Sequence, residues 1–384
     1  MRNDRTMKAI KVASLRPGMK FDQPVYIEGD NVLVPAGVAI KEKDIERLSR
    51  WDIGEVFTAG SEVSEVAEAA AARLKESPSW LPPREEKYLK VYRSAVEKVD
   101  AIFQDIVDGT YLNHEPIDSV VKDMLDLLRR AKDEMIQLIL LGEWVEQRLS
   151  VSAVNCMITA AVIGLTMRLA SHRLLQLSTA ALLHDVGMLK MERETLQKQG
   201  KLTGEELTRI RTHPVLGYQI ISKEMKYPED IAIAALQHHE RWDGKGYPRS
   251  LKGEDISLFA RIVTVADAYE AMVGERPYRN SMIGYTAMKN VLSDNGRHFD
   301  PQVLKAFLES MGIFPIGSIV QLNNSSIGRV SENHTDAPLR PKIELLIDEF
   351  GTQIEGTEMV DLLSKKNLFI VKAIDPKSFG EDNE

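Results

Sequence analysis

The sequence contains a single cysteine, Cys156, among its 384 residues. One thiol cannot form an internal disulfide, and this scarcity suits the reducing environment of the cytoplasm. Long hydrophobic runs are also missing: the best one, Cys156 to Met167, is shorter than the ~18 residues of a membrane helix and contains Thr159 and Gly164. The charged N-terminus has no apolar segment behind it, which argues against secretion. These features predict a cytoplasmic protein without membrane insertion.

The chain has no block of basic residues. Lys and Arg number 49 and Asp and Glu number 57, which gives a net charge of −8. An acidic chain of this kind is not expected to bind a nucleic-acid polymer, although a basic pocket could still hold a small phosphate ligand. Its length predicts two or three domains at ~150 residues each.

Residues 1–60 are predicted to form a small α+β domain. Short apolar segments at 19–21, 25–27 and 32–34 predict strands, a helix is expected at 41–51, and 55–57 predicts a returning strand. Residues 61–87 are interpreted as a linker, because Pro78, Pro82 and Pro83 prevent a continuous helix.

Two long helices are predicted within residues 88–149. Apolar residues recur every three or four positions from Tyr88 to Ile106, and a second helix is expected from Ile117 to about Leu149, after Pro116. The periodicity leaves two alternatives open: the helices pack into a core, or they form a dimer seam or signalling stalk. A homodimer through these helices is therefore one expectation, and a protein partner of the N-terminal domain is another.

Residues 150–312 are helix-rich, whereas residues 313–384 predict a small β-rich appendage and a frayed acidic tail. Strands are expected at 318–322, 328–330, 342–347 and 368–374. The predicted fold class is therefore multidomain and mainly α. A helical metal-binding domain is flanked by a small N-terminal α+β domain and a small C-terminal β-rich appendage.

Histidine and aspartate residues concentrate at the ends of the predicted helices in residues 150–312. The set consists of His184, Asp185, His213, His238, His239 and Asp267. A single histidine is more often structural, but Asp267 lies in the apolar segment 262–268, where a carboxylate is costly unless it is paired or bound to metal. Imidazole and carboxylate ligands without thiolates favour Fe, Mn or Zn. The set therefore predicts a metal site.

Asp185 is the candidate for a carboxylate that bridges two ions, which at ~3.5–4 Å apart can hold a phosphoryl group between them. His238 and His239 point ~100° apart on a helix, so both reach one cluster only if the helix end faces it. The glycine-rich turn downstream allows close approach of a ligand to the backbone. Tyr247, in that turn, offers a ring for a base or a hydroxyl for a phosphate.

Four motifs in this order resemble the HD-GYP family of bacterial cyclic di-GMP phosphodiesterases. They are LLHDVG at 182–187, THPVLG at 212–217, HHERWDGKGYP at 238–248 and VADAYEAMVGERPYR at 265–279. The resemblance covers about residues 150–312 and implies a helical HD-type domain with two or three metal ions, commonly iron or manganese. It also implies hydrolysis of cyclic di-GMP to pGpG or GMP. Residues 8–58 resemble, more weakly, a domain often found ahead of HD-GYP modules.

The resemblance assigns roles to individual positions. The implied metal ligands are His184, Asp185, His213, His238, His239 and Asp267. Gly246, Tyr247 and Pro248 form the loop that gives the family part of its name, and Arg276 and Arg279 would bind the phosphates through bidentate guanidinium contacts. The predicted catalytic residues are Asp185, Tyr247 and Arg276, and cyclic di-GMP is the predicted ligand.

The sequence departs from the family pattern at two places. Ser152 stands where the family has a histidine, with Arg148 in place of a carboxylate one turn earlier. Two metal ions are therefore expected, and a third is not. Met188 replaces the lysine that commonly follows the His-Asp motif. On a continuous helix it would share a face with His184, four residues earlier, and Lys190 would not.

These departures predict slow turnover, or none. The first alternative to a phosphodiesterase is therefore a weak or inactive module that binds cyclic di-GMP for signalling. The second is a phosphohydrolase for another nucleotide or phosphoester. A redox di-iron protein is the third, because the same ligand set can hold iron that activates oxygen.

Overall fold

The computed structural model describes residues 7–374 apart from residues 22, 28–30, 36–37, 52, 61, 64–85, 111–112, 141–147, 197, 199–202, 274–283, 295, 335 and 351. Most of the predicted linker lies outside the described residues. So do the two phosphate-binding candidates Arg276 and Arg279, and the acidic tail.

The N-terminal unit is a small α+β fold, as its sequence predicts. Helix α1 (Glu42–Arg50) packs beside short strands, which are β1 (Lys8–Lys11), β2 (Lys20–Phe21), β3 (Val25–Tyr26), β4 (Val32–Val34), β5 (Glu55–Thr58) and β6 (Glu62–Val63). Four of them form an antiparallel sheet in the order β1-β5-β3-β4, and β2 pairs with β6. The buried side chains of Val25, Leu48 and Val56 belong to the core between helix and sheet.

Three helices precede the central domain: α2 (Glu86–Asp108), α3 (Glu115–Leu128) and α4 (Lys132–Leu140). The predicted single helix from Ile117 to about Leu149 is wrong, because the chain turns at residues 129–131 and then begins α4. Asp133 and Glu134 lie in the first turn of α4, where acidic side chains stabilise the N-terminal end of a helix dipole.

The inner faces of these three helices are buried in the same hydrophobic core as the helices that follow. Tyr92 and Val99 of α2 and Val121 of α3 lie in this core, each at most 1% exposed. Of the two alternatives for residues 88–149, the structure therefore displays core packing. A homodimer through these helices, and the domain limits themselves, remain predictions.

Helix α5 (Leu149–Thr166) runs through the centre of the domain. Its length and apolar composition would allow it to cross a membrane, but 72% of its 18-residue apolar window is buried inside the protein. It packs against two further helices, α6 (Ser171–Leu183) and α11 (Leu258–Val273). This burial is that of a core helix.

Further helices complete the central domain. They are α7 (Arg193–Leu196), α8 (Gly204–Ile210), α9 (His213–Gln219), α10 (Glu229–Gln237), α12 (Gly284–Ser293) and α13 (Pro301–Met311). A 3₁₀ helix, Val186–Lys190, follows α6, and a π-helical turn, Ile220–Glu224, follows α9. The mainly helical character predicted for residues 150–312 is confirmed.

The C-terminal unit is an antiparallel five-stranded sheet. Its strands are β7 (Ile319–Leu322), β8 (Ile327–Glu332), β9 (Lys342–Ile347), β10 (Gln353–Asp361) and β11 (Ile370–Ile374), in the order β10-β9-β8-β7-β11. The predicted strands are confirmed, whereas β10 was not predicted. Its register shifts between Gln353 and Glu358, which interrupts the alternation by which a strand is recognised.

Candidate metal centre and substrate loop

The predicted ligands lie at helix ends that converge on one point of the central domain. His184 and Asp185 directly follow α6, and His213 is the first residue of α9. His238 and His239 form the turn after α10, so that helix end faces the cluster, as required for both rings to reach it. Only Asp267 comes from within a helix, α11.

Three of the imidazoles are oriented by the same backbone hydrogen bond. Each donates its Nδ1–H over 2.7 Å to the carbonyl three residues earlier: His184 to Ala181, His213 to Ile210, and His238 to Ala235. Because a carbonyl only accepts, these bonds place a proton on Nδ1 and point Nε2 at the cluster, where its lone pair is available whenever the ring is neutral. Neutral imidazoles held in this tautomer are ready to bind a metal ion.

The Asp185 carboxylate lies between two groups of donor atoms. Its Oδ1 is 3.1 Å from Nε2 of His213 and 3.4 Å from Nε2 of His238. His239 adds its Nε2, 3.2 Å from that of His213. One donor atom from each of these four residues lies within 4.8 Å of all the others. They form the first ligand group.

The second oxygen of Asp185 faces a different group. Oδ2 is 3.6 Å from Nε2 of His184, and that same Nε2 is 3.7 Å from Oδ1 of Asp267. His184 is buried and comes from the end of α6, whereas Asp267 comes from α11. The two carboxylates and His184 form the second ligand group, which shares Asp185 with the first.

Charge within the cluster is set by burial and by the neighbouring imidazoles. Burial acts to raise the pKa of Asp185, but His184, His213 and His238 outweigh it and hold that pKa well below its usual value. At Asp267, burial again acts to raise the pKa, but His184 outweighs it and the pKa of Asp267 falls to about 2. Burial and the adjacent His238 lower the pKa of His239 to about 2. The cluster therefore presents ionised carboxylates beside at least one neutral imidazole.

The residues present fit a divalent metal ion. Buried Nε2 of His184 and Oδ1 of Asp185 have no hydrogen-bond partner among the described residues. Oδ1 also lies 3.1 Å from Nε2 of His213, so a carboxylate oxygen and a ring nitrogen, both metal-binding atoms, face each other inside the cluster. Such contacts are unfavourable without a cation between the atoms. Imidazole nitrogens and carboxylate oxygens suit Fe, Mn or Zn.

The loop that follows the histidine pair is fixed against the cluster. Glu240 is 1% exposed, and its carboxylate accepts the backbone N–H groups of Arg249 (2.6 Å) and Leu251 (3.0 Å). Gly246 lies so close to the backbone of residues 239–241 that a Cβ atom there would meet it at 2.4–2.5 Å. The Tyr247 ring stacks on His239 with centroids 4.7 Å apart, and the Tyr247–Pro248 peptide is cis.

The expectation for Met188 is wrong. Helix α6 ends at Leu183, and Met188 lies in the 3₁₀ helix after it, where its N–H donates to the carbonyl of Asp185 over 2.8 Å. It is therefore one 3₁₀ turn after Asp185 and does not share an α-helical face with His184. The structure thus brings together all six predicted metal ligands and Tyr247, but it does not place Met188 on a helix face with His184.

Sequence reasoning missed two residues of the site. Glu240 follows the histidine pair, and a carboxylate directly after two predicted metal ligands was the available signal. Cys156 lies one helical turn after Ser152 on α5 and is buried near His184. Burial raises the pKa of its thiol, and the neighbouring His184 acts in the opposite direction. The sequence signal for Cys156 was its position one turn from Ser152, which stands where the family has a histidine.

Comparisons with known proteins agree with this architecture. Residues 132–303 match a family model described as an HD domain, and residues 319–382 match one described as a KOW domain associated with the HD domain. A cyclic di-GMP phosphodiesterase of Pseudomonas aeruginosa is 29% identical over 376 residues, which covers 93% of this chain and 89% of the relative.

Two further relatives match over shorter regions. A cyclic di-GMP phosphodiesterase of Borreliella burgdorferi is 30% identical over 217 residues, which is 56% of this chain and 57% of the relative. A cyclic di-GMP phosphodiesterase response regulator of Xanthomonas campestris is 37% identical over 150 residues, covering 39% of this chain and 40% of the relative.

The helical fold and the His/Asp cluster define the central part of the molecule as an HD domain. That domain contains the His184-Asp185 pair and, on the loop beside the cluster, the Gly246-Tyr247-Pro248 sequence. Residues 132–303 belong to the HD-domain family, and in these features the chain is similar to HD-GYP proteins.

Proposed function

We propose that the protein is a metal-dependent phosphodiesterase that hydrolyses cyclic di-GMP to pGpG, to GMP or to both. One observation carries the proposal: the two oxygens of Asp185 face two separate ligand groups. A carboxylate in this position can bridge two ions, and two-metal sites are suited to the hydrolysis of phosphodiesters. The names of the relatives supply the substrate class.

The proposed cofactors are two divalent ions, with Fe or Mn as the preferred metals. His213, His238 and His239 would hold one ion with Asp185, and His184 and Asp267 would hold the other with the same carboxylate. Bound there, divalent ions lower the pKa of a coordinated water and withdraw charge from a phosphoryl group. Since the ionised carboxylates carry negative charge, they would offset the charge of the cations.

The loop that contains Gly246, Tyr247 and Pro248, which we call the substrate loop, supplies a hydrogen-bond donor beside the cluster. Burial and the nearby Asp185 raise the pKa of Tyr247, so its hydroxyl stays protonated at neutral pH. A neutral phenol can donate to a phosphate oxygen of the bound nucleotide. Close packing of Gly246 on the backbone holds the loop in place for this contact. Arg276 and Arg279 are proposed to bind the phosphates as well, and Pro248 completes the loop.

The main alternative is a weak or inactive cyclic di-GMP-binding module. The observation that favours it is Ser152, half-buried on α5 one turn before Cys156, in place of the family's histidine. One imidazole fewer would weaken the second ligand group. Hydrolysis of another nucleotide is a further alternative, and assays with other cyclic dinucleotides test it.

The test is hydrolysis of cyclic di-GMP by protein prepared without oxygen and loaded with Mn or Fe. Chromatography of the products should show pGpG, GMP or both, and Asp185→Asn should form neither. Binding of cyclic di-GMP without any product at full metal loading would instead establish the binding module. Cyclic dinucleotides with other bases, assayed alongside, would reveal a different substrate.

We also propose that the enzyme acts in the cytoplasm, with no nucleic-acid polymer as partner. A homodimer through residues 88–149 and a protein partner of the N-terminal unit are parts of the same proposal. The wide coverage of the Pseudomonas relative, 93% of this chain, supports a role for the flanking units in the same type of enzyme.

A further inference from the structure

A cation lies over the tyrosine of the substrate loop. The guanidinium carbon of Arg211 is 5.3 Å from the centroid of the Tyr247 ring, within the range of a cation–π contact. The same ring stacks on His239 at 4.7 Å with an angle of 25° between the planes. Arg211, Tyr247 and His239 are therefore neighbours, and Tyr247 connects a proposed metal ligand with an exposed cation.

Arg211 is held in this place by the backbone around it. It lies in the turn between α8 and α9, and its N–H donates to the carbonyl of Leu207 over 3.0 Å. The preceding residue, Ile210, accepts the hydrogen bond from Nδ1 of His213 over 2.7 Å. The backbone that carries Arg211 is thus tied directly to the cluster.

The charge of Arg211 has no carboxylate partner among the described residues. Nearby arginines differ: Arg209 contacts Glu192 at 2.6 Å, and Arg241 forms a two-pronged contact with Asp243. Arg211 is exposed, and no acidic oxygen in the described part of the chain lies within 4.0 Å of it. A cation held beside a site for an anionic ligand, but without a counter-ion, is available to that ligand.

The stacked geometry determines which atoms are available. His239 already covers part of the Tyr247 ring by stacking, and the Tyr247 hydroxyl is a group that can meet a ligand. A guanidinium can contact a ring with its face. Its N–H groups point outward in its own plane, where they match the oxygens of a phosphate.

We propose that Arg211 binds a phosphate group of the substrate through its in-plane N–H groups, with Tyr247 as its support and as a second donor. This inference deepens the proposed function and rests on it. Arg211 is a substrate-binding residue in this assignment, and it acts beside the metal ligands without contacting the metal.

The test compares Arg211→Gln and Arg211→Lys with a matched control, Arg209→Gln, two residues earlier. Two substrates are used with metal-loaded protein: cyclic di-GMP and bis(4-nitrophenyl) phosphate, a phosphodiester without guanine. Arg211→Gln should lower kcat/KM about tenfold or more for both, because a charge-assisted phosphate contact is lost. Arg211→Lys should fall between Gln and the natural residue. Arg209→Gln should match the natural protein, and metal content should not change.

Several results would overturn the assignment. Activity of Arg211→Gln within twofold of the natural protein on both substrates would remove Arg211 from the site. A loss confined to cyclic di-GMP would mean that Arg211 contacts guanine. A loss of metal would mean that it only positions His213.

Failure of the proposed function is separated from failure of this inference by the binding of inorganic phosphate, which needs no turnover. If the natural protein hydrolyses neither substrate, the phosphodiesterase proposal fails. Weaker phosphate binding by Arg211→Gln than by Arg209→Gln would still support Arg211. Equal binding by the two variants would refute it.

Discussion

Gly187→Ala should separate the proposed metal ligands without changing any of them. Gly187 lies in the 3₁₀ helix after Asp185, against the start of α9. A Cβ atom there would be 2.0 Å from the carbonyl oxygen of His213 and 2.6 Å from the nitrogen of Gly217. Real Cβ atoms essentially never come closer than 3.0 Å, so the two segments must separate by at least 3.0 − 2.0 = 1.0 Å.

That displacement is large relative to the site. Oδ1 of Asp185 and Nε2 of His213 are 3.1 Å apart, and metal–ligand distances tolerate changes of only about 0.2 Å. We expect Gly187→Ala to bind less metal and to lose about 10²-fold in the rate of cyclic di-GMP hydrolysis, the cost typical of a ~1 Å misplacement. Overpacking should also lower the free energy of unfolding by about 1–3 kcal/mol.

Metal analysis, initial rates and urea denaturation measure the three effects. Gly204→Ala is the matched control: Gly204 begins α8, and a Cβ atom there meets no atom of the described residues within 4 Å. It should keep the metal content and rate of the natural protein. If Gly187→Ala also keeps both, close contact between the 3₁₀ helix and α9 is not what places His213 beside Asp185.

Three further outcomes are expected. Glu240→Gln should lower the free energy of unfolding by about 1–3 kcal/mol in urea denaturation and raise KM. The reason is that the new amide NH₂ would face a loop N–H whose hydrogen bond the carboxylate now accepts. An unchanged free energy of unfolding and KM would contradict this role of Glu240. The hydrogen bond from Arg241 lowers the pKa of Asp243 from its ordinary value of 3.8 to about 2. The contribution of this pair to stability is therefore complete above pH 3.8 and is lost as the pH falls through about 2. A carboxyl NMR titration should show this midpoint, and Arg241→Gln should return it toward 3.8; a midpoint of 3.8 in the natural protein would refute it. Ser152→His should increase bound metal, measured by elemental analysis, and no increase would mean that α5 does not present this position to the cluster.

The metal ligands could be predicted because the residue types and their positions in the helices indicate metal binding. A carboxylate such as Asp267 within an apolar helix is costly unless it is paired or bound to metal. The structure places it beside His184 and brings the histidines at the helix ends into the same cluster. Strands with alternating apolar residues were predicted from an equally local signal. Strand β1 was missed because its sequence, Lys-Ala-Ile-Lys, has almost no buried face and depends on pairing with β5.

Other parts of the site depend on contacts between distant segments. Nothing local to Arg211 indicates that it lies over Tyr247, since the two residues are 36 positions apart in the sequence. The error at Met188 has a local cause: periodicity assumed that α6 continues, whereas the chain tightens into a 3₁₀ helix after Asp185. The Gly187 contact with α9 is consistent with this tighter course and could not be read from spacing.

The most direct test of the proposed two-ion site is the rate of cyclic di-GMP hydrolysis against the number of metal ions bound per chain, measured on the same oxygen-free samples. A site bridged by Asp185 predicts a rate that follows the doubly loaded fraction, and therefore rises more steeply than in proportion to the metal bound. Asp185→Asn should lose both metal and turnover. Full turnover with one ion or none, or full loading without any hydrolysis, would contradict a two-metal phosphodiesterase.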